Sequence, residues 1–371
     1  MRLAWCRSIA TRLSDRLDDS AALIAELRSD HDITGFDRAS MHDLVRLDFR
    51  QPFDLHVFEL ADDDDSEVLW PYVLHYPGIV RLRSASLHHS RAASLTRQRR
   101  GGDRRAELTF GRGDLTAAPI VASRLVVVHD EYQAASLQRD YPHARIRVAP
   151  LGVNGVGSDF QARQSRKSTS GSVSIGVLGH MSRRTIDHAL TRAREAGAQI
   201  EPMGDASPDR VLDEADAILV LPWPLSDDLT PVIAAMASAK PIVIFETAST
   251  AGWPTLDPQT WQPRGLGVTE PPIAIAIDPR DEEHSLARAL RRLATDASLR
   301  ADLGRAARAW WERNGTVAHA AAVWRSLIRE AASLTAPAHP AGWPPHLTAD
   351  GTERAREMLS ALGTSVDFLH T

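Results

Sequence analysis

The stretch "SDDLTPVIAAMASAKPIVIF", residues 226–245, has the residue types of a ligand-facing turn. A loop carrying two carboxylates, Asp227 and Asp228, leads through Pro231 into a small Ala-rich helix that stops at Lys240-Pro241, where β-branched residues begin. In open α/β sheets ligands bind beyond the carboxyl ends of the strands, where helix N-termini point free N–H groups at anions. The turn "GHMSRR", residues 179–184, is a second candidate: Gly179 allows close backbone approach, and Arg183 or Arg184 would neutralise a diphosphate bidentately. The competing reading is two exposed arginines in the first turn of a helix. Glu246, directly after "PIVIF", adds a carboxylate at the edge of the same cleft.

These residues need a scaffold, and the chain supplies a regular one. Apolar runs alternate with amphipathic segments: "RLAWC", a helix around "SAALIAELRSD", "HDITGFD", "FDLHVFEL", "WPYVLHY", "GIVRLRS", a helix near "HHSRAASLTRQ", "ASRLVVVHD", "EYQAASLQRDYP" and "RIRVAPLGV". This is the rhythm of βαβ units with parallel strands, and it predicts one α/β domain over residues 1–153. The polar, Gly/Ser-rich "NGVGSDFQARQSRKSTSG" then reads as a linker. A second α/β unit, residues 172–335, has predicted strands "VSIGVLG", "QIEPMG", "AILVLP", "PIVIF" and "IAIAI", then helices to about residue 333. After the bridge "APAHPAGWPPHL", a final helical segment within 346–371 is expected to cross back to the first lobe.

Composition narrows the function. A chain of 371 residues exceeds one ordinary core and suits two domains. A formal net charge of −5 argues against a general nucleic-acid binder. Cys6 is the single cysteine, so no intrachain disulfide or thiolate metal cluster forms, and a reducing cytoplasm suits the chain. Its place in the first apolar run makes it a buried structural thiol. No stretch approaches the ~20 apolar residues of a membrane span, and the N-terminal run is too short for a signal peptide. The basic "RQRRGGDRR", residues 97–105, is read as a solvated loop, with peripheral contact at the inner face of a membrane as its alternative. "DDDD" at residues 62–65 is read as a solvated acidic loop rather than a metal site. Walker A, a Gly-x-Gly-x-x-Gly turn after the first strand, His-Glu-x-x-His and Gly-x-Ser-x-Gly are all absent from the sequence.

The string "PVIAAMASAKPIVIF", followed by "LARALRRLATDASLRADLGRAARAWWE", resembles the second lobe of the two-Rossmann-domain (GT-B type) glycosyltransferases, family 4 (group 1) in particular. The resemblance extends backward through "ADAILVLPWP" and "ASRLVVVHDEYQAASLQRDYPHARIRVAPLGV", so it covers nearly the whole chain. It implies two Rossmann-like domains facing each other across a cleft. The implied activity is a retaining, metal-independent transfer of a sugar from a nucleotide-diphosphate sugar to a glycan, lipid or small-molecule acceptor. No cofactor is implied, the nucleotide-sugar being a substrate. In the family a pair of glutamates with seven residues between them contacts the donor sugar and the ribose; the matching positions here are Ser226 and Ala234. Ala239 stands where the helix-ending glycine is usual.

On that resemblance, the loop from Ser226 to Thr230 would hold the sugar, with Asp227 or Asp228 as a substitute catalytic carboxylate and Glu246 as a further one. Gly179, Arg183 and Arg184 would meet the diphosphate. Arg83 and Ser84 occupy positions where the family often has a His-Asp pair; His88 and His89 match it and would serve the acceptor side or pack at a helix start. His129, where "RLVVVHD" meets the cleft, is the other candidate polar contact with a catalytic role. Trp253 and Trp261 either stack on a pyranose or anchor their Pro-bounded loop, while Trp310 and Trp311 are expected to pack the terminal helices. The departures at Ser226, Ala234 and Arg83 support a second reading, a catalytically silent relative that binds a nucleotide, glycan or partner. A nucleotide-sugar epimerase of the same architecture is a weaker third.

Overall fold

The computed structural model describes residues 1–8, 14–155, 172–179, 181–223, 225–265, 269–349 and 353–363. The predicted linker beyond Gly155, His180 of the "GHMSRR" turn and residues 364–371 lie outside the described residues.

In chain order the first lobe contains β1 (Arg2–Arg7), α1 (Asp19–Leu27), β2 (Asp32–Phe36), α2 (Asp43–Arg50), β3 (Leu55–Leu60), α3 (Trp70–Val73), β4 (Ile79–Leu82), α4 (His88–Arg97), α5 (Gly101–Phe110), α6 (Ala117–Ala122), β5 (Leu125–Val128), α7 (Glu131–Asp140) and β6 (Ile146–Val148). The strands form one sheet ordered β2-β1-β3-β4-β5-β6, every neighbouring pair parallel. All six residues of β3 are buried, as expected of a parallel strand covered by helices on both faces. The apolar run "WPYVLHY" forms the short helix α3 instead of a strand. "RQRRGGDRR" is largely exposed, as expected, but forms the end of α4 and the start of α5 rather than a loop, with Arg97 paired to Asp64 and Glu67 and Arg100 to Asp103.

The second lobe contains β7 (Val173–Val177), α8 (Arg183–Glu195), β8 (Ile200–Pro202), α9 (Pro208–Glu214), β9 (Ala217–Val220), α10 (Thr230–Ala237), β10 (Ile242–Phe245), β11 (Thr255–Leu256), β12 (Pro263–Arg264), β13 (Ala274–Ile277), α11 (Glu282–Thr295) and α12 (Ala297–Asn314). Its sheet runs β12-β11-β13-β10-β9-β7-β8, parallel except for the antiparallel pair β11–β12. That small hairpin is the Trp/Pro-rich insertion, and Asp257 clamps it by accepting from Gln259 N (2.8 Å), Thr260 Oγ1 (3.0 Å) and Arg264 Nη2 (2.6 Å). Trp253 packs against Trp310 with ring centroids 5.2 Å apart, and the Arg292 guanidinium lies over the Trp261 ring, so both rings have anchoring partners. Trp311 is buried in the core beneath α10.

The crossing back to the first lobe begins at Thr316, well before residue 346. Helix α13 (Val317–Ser333) lays Trp324, Leu327, Ile328 and Ala331 on the face of the first sheet formed by Leu3, Trp5, Leu55, Val57 and Ile79, and Trp324 meets Trp5 at 5.1 Å between ring centroids. The segment 340–349 also belongs to the first lobe: Leu347 joins its core, and the last described helix, α14 (Glu353–Ala361), follows. The second lobe's helices therefore end at Asn314.

Two strands of chain connect the lobes side by side. Val153 pairs in parallel with Thr316, and Val153 N donates to Gly315 O at 3.0 Å. The approach is close enough that a Cβ at Gly152 would lie 2.7 Å from the Ala320 side chain, and one at Gly155 would lie 2.5 Å from the Trp311 ring. Glycine at both positions is a packing requirement of this double connection.

Candidate functional site

The carboxyl ends of β1, β3, β4 and β5 converge on a network of buried charges. Strand register places Arg7, Glu59 and Arg81 in one row across β1, β3 and β4. Arg81 is 1 % exposed, Asp19 2 % and Glu59 4 %, which demands internal compensation. Arg81 supplies it: Nη2 donates to Asp19, Nη1 to Glu59 Oε1 (3.2 Å) and Ser20 Oγ (2.8 Å), and Nε to His129 Nε2 (3.0 Å). Glu59 also accepts from Trp5 Nε1 (2.6 Å) and Ser20 Oγ (2.7 Å). Helix α13 roofs the group, with Trp324 5.7 Å from the Arg81 guanidinium carbon.

The N-terminus of α1 is thereby filled by the protein's own carboxylates. Asp18 caps the helix through Ala21 N (2.8 Å), and Asp19 in its first turn faces Arg81 and Arg83. A helix start that would attract a phosphate is already neutralised. The two guanidinium groups outweigh burial and hold Asp19 ionised far below the usual carboxylate range.

Beside this network lies a cavity of about 350 Å³ bounded by both lobes. From the first lobe it is lined by Arg7, Asp18, Asp19, Glu59, Asp62 and Arg83, and from the second by Ser226, Asp228, Thr230 and Pro231. Arg83 spans the gap, donating to Asp19 Oδ1 (2.7 Å) on its own lobe and to Asp228 Oδ1 (3.3 Å) and Thr230 Oγ1 (3.1 Å) on the other. Asp228 also accepts from Thr230 N (3.0 Å) and Oγ1 (2.6 Å), so one carboxylate shapes the entry to α10 and holds the lobes together. Two further interlobe ties flank the cavity, Ser14 Oγ to Asp209 Oδ1 (2.6 Å) and Arg16 to Asp213 (2.9 Å) and Ser238 (3.0 Å). Asp227 faces away from this cavity: its Oδ2 accepts from Ala85 N (3.3 Å), and it lines a second interlobe cavity of about 160 Å³.

Ser226, Asp227, Asp228, Thr230 and Arg83 are thus brought together. The other expected contacts are not on either cavity wall. Gly179 adopts φ +89°, a conformation suited to glycine, but it lines neither cavity. Arg183 and Arg184 are exposed on the first turn of α8, and Arg183 is tied to Asp205. Glu246 is neutralised by Arg264 at 2.6 Å. His89 is exposed and His88 half-buried at the start of α4, whose N–H groups at His89 and Ser90 donate to Asp62. Ala234 is 3 % exposed within the second lobe's core, so the second glutamate position faces packing rather than a ribose.

His129 departs most from a catalytic base. Both ring nitrogens are committed: Nδ1–H donates to Ala149 O (2.9 Å) and Nε2 accepts from Arg81. Burial, reinforced by the Arg81 and Arg83 charges, depresses its pKa to about 3. It therefore stays neutral near pH 7 and holds Arg81 in place. Cys6 is likewise inert, fully buried with its thiol pushed up by burial. The acidic "DDDD" run serves as caps and ion pairs, with Asp63 accepting from Ser66 N, Asp64 meeting Arg97 and Asp65 meeting Arg38. Among the described residues no group of three or more His, Cys, Asp or Glu is arranged to hold a metal ion, and no helix is long and apolar enough to cross a membrane.

The buried set of Asp19, Glu59 and Arg81 escaped the sequence reading. Its signal was available: a charge in each of the runs "LHVFEL" and "GIVRLRS", whose other residues are mostly apolar.

No protein-family model matches the chain, and no curated protein sequence matches it. Solved structures do match its shape. It is similar to sucrose-phosphate synthase from Thermosynechococcus elongatus (TM-score 0.59, 13 % identity, covering 89 % of this chain and 98 % of that one). It is similar also to HepE from Anabaena in complex with UDP and glucose (TM-score 0.56, 11 % identity, 89 % and 99 %) and to WaaG, a glycosyltransferase involved in lipopolysaccharide biosynthesis (TM-score 0.53, 11 % identity, 86 % and 98 %). At these identities the likeness is one of fold: two Rossmann-like domains in the GT-B arrangement.

Proposed function

We propose that the protein is a glycosyltransferase that moves a sugar from a nucleotide-diphosphate donor to an acceptor bound between the lobes. The observation that carries the reading is the loop Ser226–Thr230, which enters α10 and lines both interlobe cavities of a GT-B fold. The neighbours named with UDP and glucose or with lipopolysaccharide biosynthesis supply the chemical class. Among the described residues Arg83 and Arg7 are the cations of the larger cavity, and a diphosphate would compete with Asp228 for Arg83. Arg183 would reach it by exchanging Asp205 for phosphate oxygens. Water exclusion by the closed lobes would protect the donor from hydrolysis. A retaining outcome, independence of metal, membership of family 4, a hexosyl donor, action in the cytoplasm and an acceptor met at the membrane's inner face belong to the same proposal.

A second reading, a silent relative that binds a nucleotide or glycan, is favoured by two observations: among the described residues six carboxylates and two arginines line the larger cavity, and Ala234 gives a ribose no acceptor. Calorimetry with UDP, GDP and TDP sugars decides between them. Binding followed by hydrolysis or transfer that disappears in the Asp227→Ala, Asp228→Ala double variant supports the enzyme; binding without turnover supports the silent relative; no binding removes both nucleotide readings.

A further inference from the structure

The second interlobe cavity differs in kind from the first. Its lining brings Ala85, Asp114, Tyr132, Gln133 and Asp140 from the first lobe against Asp227 and the Thr247–Ser249 turn of the second. Among the described residues no lysine, arginine or histidine lines it, whereas three aspartates do. Asp130, which caps α7 through Gln133 N, lies close enough that burial first and the charge of Asp227 second push its carboxyl upward. Anions are disfavoured in such a space, and donors of hydrogen bonds are favoured.

Two features of the lining point to a ring-shaped polyol. Gln133 is 3 % exposed, yet its Oε1 has no hydrogen-bond partner among the described residues, leaving a buried acceptor without a donor. Tyr132 in the first turn of α7 is 56 % exposed at the same cavity, an amphipathic ring offering an apolar face with a hydroxyl tip. A space of about 160 Å³ is less than half of the larger cavity's about 350 Å³, so it suits the smaller of the two substrates.

We infer that this cavity is the acceptor subsite and that it takes a non-anionic sugar ring, an amino sugar before a neutral one and a neutral one before a phosphorylated one. Gln133, Asp140 and Asp114 receive the ring's hydroxyl or ammonium donors, and Tyr132 covers its apolar face. Because Asp228 lines the larger cavity and Asp227 the smaller, the acceptor ring lies against the same loop that is proposed to hold the donor. The role as acceptor rests on the transferase reading; the ligand preference does not.

The test uses the full chain and three probes, glucosamine, glucose and glucose 6-phosphate, titrated by ligand-observed NMR. Glucosamine is expected to bind at least about tenfold more tightly than glucose 6-phosphate, and Asp140→Asn to narrow that ratio about threefold or more. Tyr132→Ala, a change on an exposed side chain, is expected to weaken glucose and glucosamine together. Equal binding of the phosphorylated probe, binding indifferent to both substitutions, or no binding of any probe overturns the inference. A parallel titration with UDP, GDP and TDP separates the two claims: nucleotide binding without sugar binding sinks only this subsite, and sugar binding without nucleotide binding sinks only the transferase.

Discussion

Replacing His129 by glutamine isolates the cost of keeping a neutral imidazole inside the charge network. Glutamine preserves both hydrogen bonds in kind, since its amide oxygen accepts from Arg81 Nε and its amide nitrogen donates to Ala149 O, but it does not titrate. In the folded chain His129 binds a proton only near pH 3, whereas unfolded histidine does so at about 6.5. The depressed folded value means the unfolded state binds more protons between those limits. The neutral ring's contribution is fully present above about pH 6.5 and is lost as the pH falls toward about 3. At pH 5 the unfolded histidine has gained about 1.5 pH units of protonation, or about 2 kcal/mol. Urea unfolding of wild type and His129→Gln at pH 7 and pH 5 measures it. Other histidines, including His56 and His31, titrate identically in both proteins and cancel in the difference. The variant should lose about 2 kcal/mol less than wild type over that interval; losses equal within about 0.5 kcal/mol would refute the buried neutral assignment.

Further outcomes follow from the same geometry. Arg81→Met leaves Glu59 buried without a cation and Asp19 with Arg83 alone, and should cost about 3–5 kcal/mol by denaturant titration. Ala239 ends α10 at φ +52°, so Ala239→Gly should raise stability by about 1 kcal/mol, read as a shift in the denaturation midpoint. Ala234→Glu should destabilise by several kcal/mol, on the order of the cost of burying an unpaired carboxyl, without improving nucleotide affinity by calorimetry. Arg83→Ala removes the side chain that joins Asp19 to Asp228 and Thr230, and small-angle scattering should show a larger radius of gyration as the lobes part.

Strands and helices were legible in the sequence wherever one period ran long enough. The runs at β1, β3, β5, β7, β9, β10 and β13 and the helices α1, α4, α7, α8 and α10 all lie where the patterning places them. What escaped were facts of pairing. Amphipathic α13 declares an apolar face, but nothing local says that Trp324 lies on Trp5, three hundred residues away in the chain, rather than on the nearer sheet. Two-residue strands β11 and β12 are too short for any period. The site divides in the same way: Asp227, Asp228 and Thr230 could be singled out together because they sit in one short loop, which the fold sets on the interlobe cavities. Asp19, Glu59 and Arg81 were missed because strand register alone brings them together. At Arg183 the sequence shows an exposed first-turn charge but not its partner Asp205, which only the fold brings beside it.

The placement of α13 has a consequence for biogenesis. The apolar face around Leu3 and Trp5 leaves the ribosome before the second lobe, yet its cover arrives only after residue 317. At about 5–20 residues per second, the roughly 160 residues between the first sheet and α13 keep that surface waiting on the order of 10–30 s. The second lobe can fold as one unit in that interval, but the first must be held open, and a chain truncated near residue 315 would carry a finished second lobe beside an aggregation-prone first.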